Sequence, residues 1–496
     1  MKRNLAARIL RAASGQQIAL ICFFLLACAA LAQSVQPAKQ PARSAVPALL
    51  LSDIHFEPFW DPAKVPQLAV APASKWKSIL AAPPSPDQQQ RFATLQQSCH
   101  ARGVDTSIAL FDSSLKAMRG HAAGVKFVAV SGDLISHSFQ CKLNALFPDA
   151  TPESRRAFVE KTLAYVMDEL YGAFPGVPVY VALGNNDSDC GDYRLDAGSE
   201  FLADTGKEVT NHFPASERQA ARDSFAAGGY YSVSLPAPIA NARMLVLNDI
   251  FMSANYKTCA GKADQSAADA QLAWLAQELA KARDAKQKIW VLGHIPPGVD
   301  LHASVKKLVN LCAGQDPTMF LSSEKLAETL ADFGDVVELA VFAHTHMDEL
   351  RILKHGKQSP ASSKSVALKM IPSISPINGN HPSFTVAQID PSSAGLKDYT
   401  VFAASNLTGD DAVWTEEYDY ARSYRESAFS SSSISQLIAG FAADPGAKTL
   451  ASQNYIGDFS VGNQSPVLEA FWPQYVCTLS NDTAQAFRAC VCSTAQ

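Results

Sequence analysis

The sequence predicts an α/β fold in which buried strands alternate with amphipathic helices. Short β-branched apolar runs recur from about residue 46 onwards, helical stretches separate them, and each run is followed by polar residues or glycine. With 496 residues and a hydrophobic content of 47%, the chain can bury a large core. We therefore expect one large domain followed by a smaller appendage.

Seven apolar runs are predicted as strands. Five of them span 48–51, 127–130, 177–181, 289–292 and 339–342, and two more at 244–247 and 366–370 fit the same sheet system. Helices are predicted at 153–171 and 267–285, and apolar positions 272, 275, 279 and 282 make one face of the second. The stretch 72–90 has the composition of an irregular insertion.

After Asp390 the strand pattern weakens. Two segments rich in Tyr and Trp, 414–429 and 435–441, are predicted as helices and precede a cysteine-containing tail. We expect a large α/β domain at 48–400 and a C-terminal helical subdomain at 401–496.

The N-terminus has the pattern of a signal peptide. Basic residues at positions 2, 3, 8 and 11 precede an apolar run, 18–32, that ends in Ala-Leu-Ala. This run is shorter than the roughly 20 residues that a membrane-spanning helix needs, so a stable membrane anchor is not expected. Residues 1–32 are therefore predicted as a signal peptide and 33–47 as a linker, which implies a secreted or periplasmic protein. Lipoprotein processing at Cys28 is the alternative.

Charge and cysteine content limit the partners and the compartment. The net charge of −5, without a basic cluster in the predicted mature chain, gives no electrostatic footprint for nucleic acid, so a small molecule is the expected partner. Eight cysteines remain beyond the signal peptide, at 99, 141, 190, 259, 312, 477, 490 and 492. An even number in an exported chain predicts disulfides, although the sequence alone leaves the pairing open.

Potential metal ligands follow five of the predicted strands. They are Asp53 and His55, Asp133, Asn185, His294, and His344 with His346. Ligand sites in open α/β sheets form beyond the carboxyl ends of the strands, so these residues are expected to meet. On an extended segment Asp53 and His55 would share one face and bind one metal. The His344 and His346 pair could instead serve two metals about 3.5–4 Å apart, one imidazole each.

A single Asp-x-His or His-x-His motif is weak evidence for a metal, because a histidine after a core strand is more often structural. Five such motifs occur in order, each after a predicted strand. A purely structural role for all of them would require several independent coincidences. Glycines precede Asp133, Asn185 and His294 and are expected to let the backbone turn sharply there. The sequence therefore predicts a site for two divalent metal ions.

This ordered set resembles the calcineurin-like metallophosphoesterase superfamily, whose motifs run DxH, GD, GNH(D/E), GH and GHxH; here Ala343 replaces the last glycine. The resemblance implies that one metal is bound by Asp53, His55, Asp133 and His346. The second would be bound by Asp133, Asn185, His294 and His344, with Asp133 bridging. A metal-bridging hydroxide would attack phosphorus, and the metals would stabilise charge on the phosphoryl oxygens. Zinc is favoured, with manganese or iron as alternatives.

Further motifs are similar to those of acid sphingomyelinase and the sphingomyelinase-like phosphodiesterases. They are the stretches 293–298 and 344–349, the GDxxxH motif that ends at His137, and the 380–382 loop with His381. The resemblance implies a β-sandwich flanked by helices, a helical C-terminal subdomain, and disulfides Cys259–Cys312 and Cys477–Cys490. It also implies that His137, His381 and the residue at position 186 contact substrate.

Two departures limit what the resemblance implies. Asn186 stands where the family has a histidine, and an amide cannot deliver a proton near neutral pH, so His137 would act alone as the acid. The saposin domain of acid sphingomyelinase finds no counterpart between the signal peptide and Asp53. We therefore expect a phosphodiesterase for small soluble esters or anhydrides, either nucleotide-like or phosphocholine-type. A sphingomyelin phosphodiesterase and a non-catalytic phosphate-binding protein are the alternatives.

Overall fold

The computed structural model of the protein describes residues 44–354, 364–462 and 465–494. The predicted signal peptide, Cys28 and most of the predicted linker lie outside these ranges. The strands are β1 Val46–Leu51, β2 Val128–Ser131, β3 Val179–Ala182, β4 Tyr231–Ser234, β5 Ala242–Val246, β6 Lys288–Leu292, β7 Val337–Phe342, β8 Glu349–Leu353, β9 Val366–Met370, β10 Ser383–Ile389, β11 Leu396–Ala404 and β12 Trp414–Asp419. All seven strands predicted from apolar runs are confirmed.

The strands form two six-stranded mixed sheets. The first has the order β12-β11-β10-β1-β2-β3, in which β1, β2 and β3 are parallel and the other pairs are antiparallel. The second has the order β4-β5-β6-β7-β9-β8, in which β5, β6, β7 and β9 are parallel. The core lies between the sheets, where the rings of Phe127 and Trp290 meet edge to face at 5.7 Å. The predicted sandwich flanked by helices is confirmed.

Helices surround the two sheets. They are α1 Val65–Val70, α2 Trp76–Leu80, α3 Gln88–Ser98, α4 Ile108–His121, α5 Phe139–Leu146, α6 Pro152–Ala173, α7 Glu200–Thr210, α8 Ala215–Gly228, α9 Ser266–Asp284, α10 Leu301–Lys306, α11 Lys325–Asp332, α12 Tyr420–Tyr424, α13 Ser431–Ala442, α14 Leu450–Phe459, α15 Pro466–Ala470, α16 Trp472–Thr478 and α17 Ala484–Thr494. Both helices predicted at 153–171 and 267–285 are confirmed, as α6 and α9. Thr151 caps α6 by accepting a hydrogen bond from the Ser154 amide, and proline occupies the first turn.

Two predicted segments differ from the structure. Residues 414–419, predicted as helix, form strand β12, because pairing with β11 overrides the local pattern. Residues 72–90, predicted as irregular, contain a 3₁₀ turn, α2 and the start of α3. Trp76 anchors that segment, since its ring is fully buried and its indole donates a hydrogen bond to the Leu68 carbonyl.

Four disulfides join the eight cysteines, namely Cys99–Cys141, Cys190–Cys259, Cys312–Cys492 and Cys477–Cys490. The Cys477–Cys490 pair is confirmed. The Cys259–Cys312 pair is wrong, because the Cys259 amide donates to the Asp196 side chain and so holds Cys259 beside the loop that carries Cys190.

The C-terminal helices contact the strand that follows the last metal-binding motif. Glu349, the first residue of β8, accepts hydrogen bonds from Tyr475 of α16 and from Thr345. One residue earlier, Asp348 pairs with Lys369 and accepts a hydrogen bond from Tyr418 of β12. The predicted domain boundary at residue 400 falls inside β11. A search of the described residues for a helix long and apolar enough to cross a membrane finds none.

Candidate metal centre

The seven predicted ligands follow strands of both sheets. In the first sheet, β1 leads to Asp53 and His55, β2 to Asp133 and β3 to Asn185. In the second sheet, β6 leads to His294, and β7 leads to His344 and His346. The two sheets meet here, because the carbonyl of Ser131, the last residue of β2, lies 2.6 Å from His294 Nδ1. The structure therefore brings all seven residues to one edge of the sandwich.

Five of the seven candidate ligands have a left-handed backbone, whereas the sequence predicts an extended segment for the Asp53 and His55 motif. Asp53 and His55 both have φ of 44°, Asp133 has 54°, His344 has 75° and His346 has 68°. This left-handed region is rarely occupied by residues with a side chain and costs roughly 1–3 kcal/mol for each residue. The side chains of Asp53 and His55 still converge, since Asp53 Oδ1 lies 3.7 Å from His55 Nε2.

Two glycines admit this close packing in different ways. Gly132 adopts φ of 84°, as expected for a sharp turn before Asp133. Gly184 does not adopt a positive φ; it is required because a Cβ there would overlap the carboxylate and the amide of Asp133. The glycine before Asn185 therefore provides space for a neighbouring ligand rather than a turn.

The first group of ligand atoms surrounds Asp53. The Asp53 Oδ1 atom lies 3.4 Å from His346 Nε2 and 3.7 Å from His55 Nε2, and those two imidazole nitrogens are 3.2 Å apart. This Oδ1 atom is buried and has no hydrogen-bond partner among the described residues. A buried carboxylate oxygen without a donor, facing two imidazoles, fits a divalent cation between them.

The second group surrounds Asp133. Its Oδ2 atom lies 3.4 Å from His55 Nε2 and 3.3 Å from His294 Nε2. The His294 Nε2 atom also lies 3.1 Å from Asn185 Oδ1, and the Asn185 amide is oriented by donating to Asp192 Oδ1. Asp133 therefore stands between the two groups, as a residue that bridges two metals would.

The His344 and His346 side chains face different neighbours. The His346 imidazole faces Asp53, whereas His344 Nε2 lies 3.1 Å from the hydroxyl of Tyr193 and its ring is 5.2 Å from that of His294. This divergence fits the expectation that each imidazole serves a different metal.

Carboxylate charge dominates the protonation of two histidines. Burial alone would lower the pKa of His55 and of His294, but Asp133 and Asp53 outweigh it. The pKa rises to about 9 for His55 and to about 10 for His294. In the absence of metal these two histidines carry protons that balance the buried carboxylates.

Burial dominates at the other two histidines. It lowers the pKa of His344 to about 4, with a further contribution from the positive charge of His294. The pKa of His346 falls to about 3, mainly through burial and despite the nearby Asp53 carboxylate. Both imidazoles are therefore neutral, which is the form that binds a metal.

His137 lies beside the first group of ligands, where its ring stacks on His55 with centroids 3.9 Å apart. Its Nδ1 atom is 3.0 Å from Asp105 Oδ1, and its backbone amide donates to Asp105 Oδ2. Asp105 is buried, and its pKa is lowered well below the usual range because the His137 charge and hydrogen bond outweigh burial. The His137 side chain is 34% exposed, so a face of the ring remains accessible.

Asn186 contacts the bridging carboxylate. Its side-chain amide donates to Asp133 Oδ2 at 2.8 Å, and its backbone amide donates to Asp133 Oδ1 at 2.8 Å. The residue that replaces the family histidine therefore lies in the centre of the cluster.

Three buried carboxylates support the ligand residues, and two of them, Asp105 and Asp249, were not singled out from the sequence. Asp105 holds His137, Asp249 accepts hydrogen bonds from the His294 and Ile295 amides, and Asp187 accepts them from the Leu134, Ile135 and Gly184 amides. Burial raises the pKa of Asp187 to about 7 and that of Asp249 to about 6. The last two carboxylates hold the backbone of ligand loops rather than a ligand imidazole.

His381 has a different environment. Its Nδ1 atom is 3.2 Å from the Ala404 carbonyl at the end of β11. The neighbouring Asn380 amide contacts Ser373 and Ser375, and Ser375 donates to Asp105. His381 is therefore tied to β11, and its loop reaches the Asp105 side of the centre through Asn380 and Ser375.

Comparison with known proteins gives matches along most of the chain. Acid sphingomyelinase-like phosphodiesterase 3b of Homo sapiens is 25% identical over 456 residues, 89% of each chain. Sphingomyelinase phosphodiesterase D of Dictyostelium discoideum is 27% identical over 334 residues, which cover 65% of this chain and 66% of the relative. The cyclic GMP-AMP phosphodiesterase SMPDL3A of Homo sapiens is 25% identical over 284 residues, 55% of this chain and 58% of the relative.

The family model of the calcineurin-like phosphoesterases matches residues 46–348, more than half of the chain. The match begins at β1 and ends just beyond His346, so it includes all seven candidate ligands. The chain therefore belongs to the calcineurin-like phosphoesterase family, which uses a dinuclear metal site.

Proposed function

We propose that the protein is an exported two-metal phosphodiesterase that hydrolyses small soluble phosphate esters or anhydrides. The observation that carries this proposal is the position of Asp133, whose Oδ2 atom contacts both His55 and His294 between two groups of ligand atoms. A carboxylate in contact with both groups is what a bridged dinuclear centre requires.

The proposed ligand sets follow the two groups. Asp53, His55, Asp133 and His346 would hold one metal, and Asp133, Asn185, His294 and His344 the other. The donor set fits, since it combines a buried carboxylate oxygen that lacks a hydrogen bond with imidazole nitrogens that face it. Mixed nitrogen and oxygen ligands suit zinc, which we favour, as well as manganese or iron. The bound metals would supply water activation and neutralise charge on the phosphoryl group.

His137 is the proposed proton donor to the leaving group. Its Nδ1 atom faces Asp105, which leaves Nε2 as the ring nitrogen that can hold a proton for the substrate. Stacking on His55 keeps the ring next to the first group of ligands. Asn186 can only hydrogen-bond the substrate or Asp133, so a leaving group has one acid rather than two.

A nucleotide-like or phosphocholine-type substrate is supported by the kinds of relatives that the chain matches. Two bear sphingomyelinase-like names, and the third is called a cyclic GMP-AMP phosphodiesterase, a name that denotes a soluble nucleotide diester. With one leaving-group acid, esters or anhydrides with good leaving groups are favoured over bilayer sphingomyelin. We also propose that the loop that carries His381 lines the substrate-binding side of the metal centre.

Export is supported by the four disulfides, because such bonds persist in oxidising compartments. Secretion or a periplasmic location follows from the proposed signal peptide at residues 1–32. N-terminal sequencing of the mature protein, after expression of the full chain, tests cleavage after Ala32 against processing at Cys28.

The activity is tested with purified protein loaded separately with zinc, manganese or iron. The substrates are an aryl phosphate diester, the matching monoester, a nucleoside triphosphate, a cyclic dinucleotide and phosphocholine esters including sphingomyelin. We expect metal-dependent hydrolysis that is greatest for a soluble diester or anhydride. Asp133→Asn should abolish it, whereas Asp284→Asn, at the exposed end of α9, should leave it unchanged.

A phosphate-binding protein without turnover is the second candidate, because Asn186 occupies the centre and cannot transfer a proton. It predicts that the metal-loaded wild type binds phosphate but hydrolyses none of the substrates. Hydrolysis that is lost in Asp133→Asn excludes it.

A further inference from the structure

Tyr193 lies at the centre but has no part in the roles proposed above. It lies eight residues after Asn185, outside every motif, yet its hydroxyl is 3.1 Å from Nε2 of His344. The phenol ring stands edge-on to the His344 imidazole, with centroids 6.1 Å apart. Tyr193 thus brings a hydroxyl to the imidazole of His344, which is a proposed metal ligand.

The backbone at Tyr193 is held in an unfavourable conformation. Its φ of 55° lies in the left-handed region, which is uncommon for a bulky aromatic residue. Such conformations persist where the surrounding structure enforces them, and they concentrate at functional sites.

The enforcing contacts are local and specific. The Tyr193 amide donates to the Asn185 carbonyl at 2.9 Å, and its carbonyl accepts from the Lys257 amide at 3.0 Å. On the same loop, the Cys190–Cys259 disulfide joins the residue three positions earlier to the segment that follows Lys257. Tyr193 is therefore fixed between a ligand loop and the covalently attached loop that carries Lys257 and Cys259.

The nearby amides of Asn186 are already engaged by Asp133. The Asn186 side chain directs its amide to Asp133 Oδ2, and its backbone amide is directed to the other oxygen of the same carboxylate. When either nitrogen of neutral His344 binds a metal, Nε2 can no longer accept from Tyr193, because it is then the ligand atom or carries the ring proton. The phenol proton is then free to be donated to another acceptor.

On the basis of the proposed phosphoesterase function, we infer that Tyr193 is a substrate-binding residue whose hydroxyl donates a hydrogen bond to a phosphoryl oxygen. The Cys190–Cys259 disulfide holds Tyr193 in place. A hydrogen bond from a neutral donor to a charged oxygen contributes about tenfold to a hundredfold in affinity. The chemical class that it recognises is a tetrahedral phosphoryl group bound at the dinuclear centre.

The first test compares wild type with Tyr193→Phe, both loaded with manganese. Inorganic phosphate is the probe, and calorimetry measures its Kd while elemental analysis measures metal per chain. We expect Kd to rise about tenfold or more, with two metals per chain retained and kcat/KM for an aryl diester reduced by about tenfold to a hundredfold. Tyr171→Phe is the matched control, since that half-buried phenol donates to the Val209 carbonyl. It should leave the phosphate Kd, the metal content and kcat/KM unchanged.

Three results would overturn the inference. Phosphate affinity within twofold of wild type would show that the hydroxyl does not contact the ligand. Loss of metal from Tyr193→Phe would show that Tyr193 holds the metals instead, and so would a visible phenolate band in the iron(III)-loaded wild type that the variant lacks.

The second test addresses the disulfide through a double-mutant cycle. Replacing both Cys190 and Cys259 by Ser should weaken phosphate binding in the wild-type background and have little further effect in Tyr193→Phe. Equal losses in both backgrounds would contradict a role for the disulfide in positioning Tyr193.

The outcomes separate this inference from the proposed function. If the wild type hydrolyses no substrate, but Tyr193→Phe binds phosphate more weakly than the wild type, the inference stands and the proposed catalytic function fails. If the wild type hydrolyses diesters and Tyr193→Phe matches it in both measurements, the function stands and the inference fails.

Discussion

Filling the metal centre should release protons, and the number follows from the two elevated histidine pKa values. At pH 7, a pKa of about 9 leaves His55 about 99% protonated, and a pKa of about 10 leaves His294 still more so. His344 and His346, with pKa values of about 4 and 3, are already neutral. Because a metal requires the unprotonated imidazole, two metals should displace about two protons per chain at pH 7.

The same values fix how this number changes with pH. At pH 9.5 about a quarter of His55 and three quarters of His294 remain protonated, so release should fall to about one proton. A water that ionises on the metals would add one proton without removing this decline. Between pH 6 and 8 the combined affinity for two metals should rise by about a hundredfold per pH unit, since two protons compete with them.

Calorimetric titration of the metal-free protein with Mn²⁺, in two buffers of different ionisation enthalpy, measures the protons released. His212→Gln is the control, because that imidazole stacks on Tyr171 and should leave the count unchanged. Release of less than half a proton at pH 7, or a count that does not fall by pH 9.5, would refute the assignment of protons to His55 and His294.

The stability of the metal-free protein should follow the same protons. For both histidines the pKa in the folded state lies above the ordinary value of about 6.5, so the stabilisation is fully present below pH 6.5 and is lost as pH rises through 9 to 10. The chelator-treated protein should therefore have a higher Tm at pH 6.5 than at pH 10. A Tm that rises over that interval would contradict this sign.

Two further predictions concern single positions, and a third concerns a disulfide. Gly184→Ala should lower metal content below one per chain, because its Cβ overlaps the Asp133 carboxylate; two metals retained would show that the loop can shift. Asn186→His should reduce the dependence of rate on leaving-group pKa across a series of aryl diesters, and equal slopes would remove the argument for a missing acid. Replacing Cys477 and Cys490 by Ser opens a link between residues 13 positions apart, which should lower the free energy of unfolding by about 3 kcal/mol in a denaturant titration.

The sequence predicted the ligand loops because the signal is local. Each buried strand is a short apolar run, and the residues that follow it meet wherever parallel strands end together. His294 and Asp133 are 161 positions apart, yet both positions follow from this rule. The conformation of the loop did not, because the left-handed φ of Asp53 and His55 depends on contacts with the residues that follow β2, such as the hydrogen bond from the Asp53 amide to the Gly132 carbonyl.

Features that depend on distant partners were missed. Asp105 follows no strand and sits in no motif, so its bond to His137 could not be anticipated. Strand β12 has an ambiguous pattern that only pairing with β11 resolves. The Cys259 partner was transferred from relatives, but here the segment of Cys259 is hydrogen-bonded to the loop of Cys190.

The left-handed ligand residues also bear on protein engineering. Each such residue lowers folding stability by roughly 1–3 kcal/mol relative to a glycine in the same conformation. A library that contains glycine or asparagine at Asp53, His55 or Asp133 and is selected only for thermal stability would enrich those substitutions and lose the metals. Stabilising variants of this chain should therefore be sought away from the sheet edge, or selected with metal content as a second criterion.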